Sequence, residues 1–435
     1  MAKQLLLTIL PPFWPKMPPL GLGFLQAFLN KNGFPSEIYD LNNYFYNLAD
    51  TDLKREWLVS CNIRLEQDLF GILKSKYSKE FDSAIEKMLA CDIIGFSCYK
   101  SNFYTTQKIT QELKSRKKEI KIILGGPEIC RQFFKNKDNF GEEFSKWADY
   151  FVVGEGEKPL LNLVSGRQTK RWAEFEQMDT LSDLNFPRYA GLNLENYPGK
   201  VALPLQFSRG CIRKCRFCSE RLIFRGYRAR SIESLIEEIR FYKERHGIKY
   251  FVFFDSLLNA DLAKFGRLCG EIINNFGSIN WEAQVAVRND MPDELFLKMK
   301  KSGCYNLFVG LESGCNNTLL KMQKGFSKEE AIAFFKKLNS AGLNFGVSII
   351  VGYPGETDSD FQESLDFIVK NKVLIPKIEQ VNPFTYYDGT EADKGADYKL
   401  NKIAFQRMEI FMSKIKEHGF KFTKSYIGNL LEKNA

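Results

Sequence analysis

The chain has 435 residues, 44% of them hydrophobic, so it is long enough to form two or three domains with buried cores. Its 62 Lys and Arg residues against 53 Asp and Glu give a formal net charge of +9, which is modest for this length. The composition excludes a disordered chain, and no apolar run approaches the ~18 residues that a membrane span needs. The apolar run 5–10 is closed by Pro11 and Pro12 too early for an export signal, so we expect a cytoplasmic protein with a strand there.

Strand and helix patterns alternate through the first 164 residues. They follow one another at 3–10, 20–32, 36–41, 91–98, 104–118, 120–124 and 150–153. This order predicts a doubly wound, Rossmann-like α/β domain over residues 1–164, with a parallel sheet that binds ligands at the carboxyl ends of its strands. A stretch with helical periodicity at about 43–89 interrupts the alternation. We interpret it as an insertion.

A second series of strand and helix patterns follows a break. Residues 165–200 lose periodicity and gather Pro, Asn and Gly, which predicts a linker. Six strands are then expected near 201–208, 248–254, 279–287, 304–311, 343–351 and 377–384. They predict a partial (β/α)6 TIM-like barrel over residues 201–390, with its chemistry at the carboxyl ends of the strands. Residues 391–435 are expected to form a polar, mainly helical C-terminal segment.

The ten cysteines fall into two groups. Without an export signal, they are expected to be reduced thiols or metal ligands rather than disulfides. Seven cysteines are scattered along the chain and are interpreted as small buried side chains: Cys61, Cys91, Cys98, Cys130, Cys269, Cys304 and Cys315. The remaining three, Cys211, Cys215 and Cys218, lie close together, directly after the first predicted barrel strand.

Three thiolates on one short loop could be ligands of either of two metal centres. They can bind three irons of a cubane cluster and leave the fourth iron open to a small molecule. Structural zinc is the alternative, but it usually takes four ligands, and the two histidines of the chain, His246 and His418, are not nearby in the sequence. The pattern therefore favours an iron–sulfur cluster.

The cysteine loop, with the aromatic Phe217 before its last cysteine, resembles the signature of the radical S-adenosylmethionine (SAM) enzymes. The resemblance implies a [4Fe-4S] cluster held by Cys211, Cys215 and Cys218, which binds SAM at its free iron and reductively cleaves it to a 5′-deoxyadenosyl radical.

Three further segments of the predicted barrel are similar to this family. Residues 310–314, Gly-Leu-Glu-Ser-Gly, resemble a segment of the branch that includes cobalamin-dependent and methylthio-transferring members. Residues 281–288 resemble the third barrel strand, and residues 346–357 the segment that passes the adenine. The SAM contacts that the resemblance implies are Phe217, Gln284, Arg288, Glu312, Ser313, Val351 and Gly352. Phe254 and Asp255 stand where many relatives carry a Gly-Gly-Glu motif for the SAM amino group, so the backbone or Asp255 is expected to make that contact.

The first half of the chain resembles the cobalamin-binding domain of such enzymes. The resemblance rests on Pro11-Pro12, on residues 18–23 and on the glycine turns at 125–127 and 154–157. It implies cobalamin contacts at Ser97, Gly125, Gly126, Gly154 and Glu155. Cobalamin domains of the Asp-x-His-x-x-Gly type supply a histidine to the cobalt, whereas the first 245 residues contain none. The lower face of the cofactor would then be open, bound to water or met by another side chain, and a domain that has lost cobalamin is the alternative.

A loop rich in positive charge surrounds the cysteines. Eight basic residues lie from Arg209 to Arg230, with Glu220 as the one acidic residue. Guanidinium groups near an anionic cluster would stabilise its reduced form, and an exposed basic loop would attract an acidic flavodoxin or ferredoxin as electron donor. Charge reversal at Arg213 and Lys214 is therefore expected to slow reduction by a flavodoxin but not by dithionite. A nucleic-acid binder would more often spread its charge over a face or a tail, so no nucleic-acid partner is predicted.

Three functions are compatible with these patterns. The leading hypothesis is a methyltransferase that places a methyl group on an unactivated carbon of a small molecule or peptide. The second is a radical SAM enzyme that catalyses cyclisation, carbon–sulfur bond formation or oxidation without methyl transfer. The third, from another class, is a non-catalytic cobalamin or redox-sensing protein. The aromatic stretch 384–387 is a candidate wall of a substrate pocket.

Overall fold

The computed structural model of the chain describes residues 4–58, 63–137, 139–168, 170–173, 175–197, 202–393 and 402–422. The chain divides into two compact units. The first comprises Met1–Pro204 with Leu222–Arg225, and the second comprises Leu205–Arg221 with Gly226–Ala435.

The first unit contains a six-stranded parallel sheet. Its strands in chain order are β1 (Leu5–Ile9), β2 (Ser36–Asp40), β3 (Ile93–Ser97), β4 (Lys121–Gly125), β5 (Tyr150–Val152) and β6 (Trp172–Ala173). They lie in the order β2-β1-β3-β4-β5-β6. The order reverses between β1 and β3, and a doubly wound sheet opens its ligand crevice at such a switch point. The first five strands lie where the sequence predicts them, and β6 lies in the predicted linker.

The helices described in the first unit are α1 (Leu20–Lys31), α2 (Leu41–Leu48), α3 (Thr51–Trp57), α4 (Ile63–Lys76), α5 (Ser78–Leu89), α6 (Phe103–Arg116), α7 (Pro127–Lys135) and α8 (Glu157–Val164). The predicted insertion corresponds to α2 through α5. Right-handed connections that leave β1 and β3 in opposite directions put α1 and α6 on opposite faces of the sheet. Accordingly, α1 contacts α8, whereas α6 contacts α4 and α5. Short 3₁₀ turns lie at Lys100–Asn102 and Leu194–Asn196.

A second sheet begins with β7, which spans the division of the chain between Pro204 and Leu205. The strands from β7 onward are β7 (Ala202–Leu205), β8 (Ser208–Arg209), β9 (Arg228–Ala229), β10 (Tyr250–Phe253), β11 (Asn280–Val285), β12 (Cys304–Glu312), β13 (Phe345–Val351), β14 (Lys377–Pro383) and β15 (Lys421–Phe422). The sheet order is β15-β14-β13-β12-β11-β10-β7, with parallel pairing from β10 to β15. Strands β8 and β9 pair antiparallel with each other. All six predicted barrel strands are present, and β15 adds a short edge strand.

The helices described after β8 are α9 (Glu220–Ile223), α10 (Ile232–His246), α11 (Leu262–Phe276), α12 (Asp293–Lys301), α13 (Asn316–Met322), α14 (Lys328–Ser340), α15 (Asp358–Lys370) and α16 (Lys402–Glu417). A 3₁₀ turn lies at Glu391–Asp393. Helices therefore separate the successive sheet strands, as in a partial barrel, and α16 lies in the predicted C-terminal helical segment. The predicted class is confirmed: an α/β chain with a doubly wound domain followed by a partial barrel.

Local sequence signals explain where several helices begin and end. The Ser231 side chain accepts a hydrogen bond from the Ser234 amide (3.2 Å) and caps α10, which ends at the left-handed Gly247. Thr357 and Asp360 cap each other's backbone amides at the start of α15. Among the described residues, no helix combines the length and the apolar character needed to cross a membrane.

Candidate cluster and SAM site

The cysteine loop, residues 211–218, begins just after β8 on a backbone that is fixed by a buried carboxylate. Asp255, which follows β10, accepts hydrogen bonds from the Phe207 amide (3.1 Å), the Ser208 amide (2.5 Å) and the Ser208 hydroxyl. Burial raises the pKa of Asp255 to about 6, although these hydrogen bonds oppose the rise. Both carboxylate oxygens are engaged, so Asp255 holds the loop in place and does not fit the predicted contact to the SAM amino group.

Two further contacts shape the cysteine loop. Gly210 has a left-handed backbone (φ 79°), and a Cβ at this position would lie 2.0 Å from the Gly226 carbonyl oxygen, so only glycine fits. The Arg213 guanidinium donates to the Gly325 carbonyl (2.9 Å) and to the Val287 carbonyl (2.9 Å). Arg213 thus ties the loop to two other connections of the barrel and is not available for docking. Charge reversal at Arg213 would therefore disturb the loop itself as well as any docking of a donor, and the effect on reduction stays a prediction.

The three thiols of the loop suit iron ligation. Cys215 is buried, and Cys211 and Cys218 are partly buried. Burial raises the pKa of Cys211 and raises that of Cys218 to about 12, so thiolates here need a cation to form. Within the described ranges, no three His, Cys, Asp or Glu side chains converge as ligands of a single metal ion. A cubane differs because each thiolate binds its own iron, and this donor set fits such a cluster.

A lysine that the sequence did not reveal lies beside the loop, with its side chain only 11% exposed. The Lys324 Nζ is 3.3 Å from Glu312 Oε1 and 5.7 Å from the centre of the Phe217 ring. Burial alone would lower the pKa of Lys324, but Glu312 and the Cys215 thiol outweigh it, and the pKa is raised. A positive charge is therefore held next to the cysteines. No local sequence signal marks Lys324, because its role depends on contacts with distant residues.

Glu312 occupies a strained position at the end of β12. Its backbone is left-handed (φ 68°), which is rare for a residue other than glycine, and the register with β13 shifts between Gly310 and Glu312. Its Oε2 accepts from the Ser348 hydroxyl (2.9 Å). Strain of this kind is often retained at functional sites. The neighbouring Ser313 is fully buried and accepts from the Cys315 amide (3.1 Å), which is a structural use of its hydroxyl.

An aromatic group packs against the loop. Phe217 lies edge-on to Tyr353, with ring centres 6.3 Å apart. Tyr353 packs on Phe384 (5.0 Å), and Phe384 on Tyr386 (4.7 Å). The stretch predicted as a pocket wall therefore contributes two rings to this group, whereas Tyr387 is 41% exposed. The group connects the cysteine loop with the predicted adenine segment.

The predicted adenine segment forms a tight turn after β13. Gly352 has φ 73°, and its amide donates to Glu356 Oε2 (2.7 Å). The Val351 carbonyl accepts from the Phe384 amide (2.8 Å). These groups are therefore engaged within the protein, and their engagement gives the turn a fixed shape.

Gln284 lies on the third barrel strand, β11, and Arg288 follows the end of that strand, and their environments differ. Gln284 is exposed between the buried residues Ala283 and Val285, so it points to the face opposite theirs. The Arg288 guanidinium donates to the carbonyls of residues 259 and 260 (3.0 and 2.6 Å) and makes two hydrogen bonds to Asp290. Arg288 is thus held by the protein itself, and Gln284 remains the better candidate for ligand contact.

The basic residues of the loop region divide into structural and exposed ones. Arg209 and Arg230 are buried, and Arg230 forms a 2.7 Å ion pair with Glu238. Lys214, Arg216, Arg221 and Arg225 are exposed, as is Ile212 at 46%. Arg216 and Arg221 both lie near Glu391, at 3.9 and 3.3 Å. Only part of the predicted basic loop is therefore accessible to a partner.

In the first unit, two of the glycines predicted to contact cobalamin serve close packing. Gly126 has φ 103°, and a Cβ there would lie 2.7 Å from the Cys98 carbonyl oxygen. Gly154 has φ 88°, and a Cβ would lie 2.4 Å from the Phe175 ring. The Gly154 amide also donates to Cys130 Sγ (3.1 Å). Protein packing alone explains why glycine stands at both positions.

The other predicted cobalamin contacts lie at strand ends. Ser97 ends β3 and Gly125 ends β4, and both are partly exposed at the ligand-binding edge of the sheet. Glu155 is buried, and its carboxylate accepts from the Met178 amide (3.2 Å). The donor set of this unit contains no imidazole, because both histidines of the chain lie beyond residue 245. It therefore fits a corrin held at its periphery rather than one ligated by histidine. Of the scattered cysteines, all but Cys61, which lies outside the described residues, are buried.

Two protein-family models match the chain. The Radical SAM superfamily model matches residues 205–368, and the B12 binding domain model matches residues 13–164. Together with the fold, these matches define the class: a two-domain α/β enzyme in which a B12-binding domain precedes a radical SAM barrel.

Curated relatives from three organisms support this class. An uncharacterized methyltransferase of Pyrococcus horikoshii is 25% identical over 341 residues, which cover 74% of this chain and 71% of that protein. A putative methylthiotransferase of Methanocaldococcus jannaschii is 28% identical over 332 residues, covering 69% and 70%. The anaerobic magnesium-protoporphyrin IX monomethyl ester cyclase of Rubrivivax gelatinosus is 25% identical over 323 residues, covering 65% and 55%.

Solved structures share the fold. The cobalamin-dependent SAM radical enzyme OxsB, with aqua-cobalamin and SAM bound, matches with a TM-score of 0.66 at 16% identity, covering 94% of this chain and 56% of OxsB. The radical SAM methyltransferase TsrM from Kitasatospora setae, with cobalamin and a [4Fe-4S] cluster bound, matches with a TM-score of 0.68 at 18% identity, covering 90% and 77%. The chain thus spans just over half the length of OxsB and of the Rubrivivax cyclase. It belongs to the cobalamin-binding radical SAM enzymes, and the prediction from its sequence is confirmed.

Proposed function

We propose that the chain is a cobalamin-dependent radical SAM methyltransferase, which transfers a methyl group to an unactivated carbon of a small molecule or peptide. The observation that carries the proposal is the placement of the cysteine loop beside the Glu312–Lys324 pair, at the carboxyl ends of barrel strands. The same chain carries a B12 binding domain. When bound, the cluster supplies the electron that cleaves SAM, and cobalamin supplies a carrier for the methyl group.

The cysteine loop is proposed to hold the cluster through Cys211, Cys215 and Cys218. Burial raises the pKa of Cys211 and Cys218, so these side chains bind iron only by losing protons that they otherwise keep. The ammonium of Lys324 offsets part of the negative charge that three thiolates bring to a buried site. Asp255, through the backbone of residues 207 and 208, fixes the direction in which the loop leaves the sheet.

Glu312 and Gln284 are proposed as the polar SAM contacts. Glu312 is positioned by Ser348 and Lys324, and its carboxylate can accept from the ribose hydroxyls or the amino group of SAM. Gln284 faces away from the buried side of its strand with an amide that can both donate and accept. The Phe217 ring lies beside Lys324, the partner of Glu312. The turn that follows Val351 is proposed to receive the adenine.

The first unit is proposed to hold the corrin at its periphery, through the strand ends at Ser97 and Gly125. Since this unit has no histidine, none of its side chains provides an imidazole to the cobalt. A methyl-carrier role for cobalamin would not require an imidazole from this unit, so its lack of histidine is compatible with methyl transfer. Gly126, Gly154 and Glu155 are proposed to support this edge by packing and hydrogen bonding rather than to touch the cofactor.

The exposed basic residues of the cysteine loop are proposed to receive an acidic electron donor, a flavodoxin or ferredoxin. Lys214 and Arg216 are exposed on the loop that carries the cluster ligands, and Ile212 adds an exposed apolar side chain to the same loop. An opposite charge on the donor would steer it to this loop, and the effect would weaken with salt. Arg213 is not part of this surface, because its guanidinium is engaged by two backbone carbonyls.

Labelled SAM tests the methyltransferase proposal. The protein would be reconstituted anaerobically with iron, sulfide and cobalamin, reduced, and supplied with SAM that carries a deuterated methyl group. Deuterated methylcobalamin on the protein, with 5′-deoxyadenosine formed when substrate is added, is the expected result. Deoxyadenosine without methyl labelling of cobalamin would instead favour a radical reaction without methyl transfer. Absence of both products would contradict the enzymatic proposal, and the Cys269→Ser variant, which removes a buried thiol away from the loop, controls for loss of a cysteine as such.

A further inference from the structure

The C-terminal helix α16 packs directly on the turn proposed to receive the adenine of SAM. This helix lies beyond residues 205–368, which match the radical SAM model. A Cβ on Gly352 would lie 2.4 Å from the Cβ of Ala404 and 2.6 Å from its Cα. The turn and the helix therefore meet more closely than any side chain at residue 352 would permit.

One arginine of α16 connects the helix to the turn by hydrogen bonds. Arg407 is 7% exposed. Its Nη1 donates to Glu356 Oε2 (2.8 Å) and to the Glu356 carbonyl (3.0 Å). The same Oε2 accepts from the Gly352 amide (2.7 Å). A continuous chain of hydrogen bonds thus runs from the helix through Glu356 to the backbone of the turn.

The charged groups linked by these hydrogen bonds are buried at the Glu356 end and exposed at the Asp358 end. The Glu356 side chain of the ion pair is 1% exposed, whereas the Asp358 carboxylate, 2.7 Å from Arg407 Nη2, is fully exposed. Burial raises the pKa of Glu356, while the Gly352 amide and Arg407 act against it. Without Arg407, Glu356 would be a buried carboxylate without its cation, which favours either protonation or movement out of the turn.

We propose that Arg407 is a positioning residue for the adenine end of SAM, and that α16 is thereby part of the SAM site. Arg407 acts from behind the turn: it holds Glu356, and Glu356 holds the amide of Gly352. The backbone of the turn then keeps a fixed shape on the side proposed to receive the adenine. The inference rests on the proposed function, because it assumes that this turn receives the nucleoside of SAM.

The test compares ligands with and without adenine on the reconstituted holoenzyme. The probes are S-adenosylhomocysteine, measured by equilibrium dialysis, and methionine, measured by its effect on the electron paramagnetic resonance spectrum of the reduced cluster. In Arg407→Met, the affinity for S-adenosylhomocysteine is expected to fall about tenfold, the equivalent of one lost hydrogen-bonded contact, while that for methionine changes less than about twofold. Arg407→Lys keeps the charge but not the forked geometry, so an intermediate loss is expected.

A matched variant separates positioning from general damage. Asp358→Asn removes the exposed partner of Arg407 and leaves Glu356 in place, so it is expected to keep the affinity for S-adenosylhomocysteine. Equal weakening of both probes in Arg407→Met, or unchanged affinity for S-adenosylhomocysteine in both Arg407 variants, would overturn the inference alone. A wild-type protein that carries its cluster but binds no S-adenosylhomocysteine would overturn the proposed function and the inference with it.

Discussion

Removal of Lys324 tests whether the Glu312–Lys324 pair organises the site. The two charged atoms are 3.3 Å apart, and the side chains are only 11% and 12% exposed. At this separation, with an effective dielectric constant of about 20, their attraction is about 5 kcal/mol before the cost of dehydration. Breaking a buried pair from one side strands the other charge and typically costs ~3–5 kcal/mol. We therefore expect Lys324→Met to destabilise the end of β12 by roughly 3 kcal/mol.

Hydrogen exchange measured by mass spectrometry gives this cost locally. Peptides that cover residues 304–326 should lose protection in Lys324→Met, because the charge of Glu312 is left without its partner. In the double variant Lys324→Met/Glu312→Gln that charge is removed, and the free energy of local opening should recover by about 2 kcal/mol. Lys328→Met removes an ion pair whose Glu363 side chain is 42% exposed, and its cost should stay below about 1 kcal/mol. Strictly additive losses in the double variant would refute the view that these side chains act as a pair.

Three further perturbations have defined outcomes. Gly210→Ala places a Cβ 2.0 Å from the Gly226 carbonyl oxygen, so it should lower the iron content of the protein after reconstitution. Gly247→Ala, where a Cβ meets nothing within 4 Å, should leave the iron content unchanged. Equal iron content in both variants would argue against the described geometry of the cysteine loop. Because burial raises the pKa of Asp255 from 3.8 to about 6, the folded state holds this proton more tightly than the unfolded state, so stability of the second unit should fall as the pH rises through that range. Asp255→Asn should remove about 3 kcal/mol of that fall. If the free energy of unfolding, measured by urea titration at several pH values, depends on pH in the variant as it does in the wild type, the assignment to Asp255 is contradicted. Charge reversal at Lys214 and Arg216 should slow reduction by flavodoxin severalfold at low salt and leave reduction by dithionite unchanged, whereas equal slowing with both reductants would exclude a docking role.

Much of the fold follows from local patterns in the sequence. Alternating apolar runs predict the strands, because a strand buried on one or both faces needs such residues whatever its neighbours are. Capping residues such as Ser231 and stop signals such as Gly247 locate helix ends through contacts within a few residues. The cysteine loop is equally local, since all of its ligands belong to one short segment.

The contacts that position the site are not local. Lys324 meets Glu312 through the return of the chain after α13, and Arg407 reaches Glu356 across 51 positions of sequence. Asp255 stands where a SAM contact is expected from the resemblance, yet its oxygens are taken by the backbone at residues 207 and 208. Such uses depend on which strand ends become neighbours, and periodicity carries no information about that.

The iron content of anaerobically reconstituted protein tests the central claim most directly. The wild-type chain is expected to bind about four irons with matching sulfide and to show the absorption of a [4Fe-4S] cluster. The triple variant Cys211→Ser/Cys215→Ser/Cys218→Ser should retain none of it, while Cys269→Ser should behave like the wild type. A wild-type protein that takes up no iron, or a triple variant that keeps the same cluster, would contradict the assignment of these three thiols as its ligands.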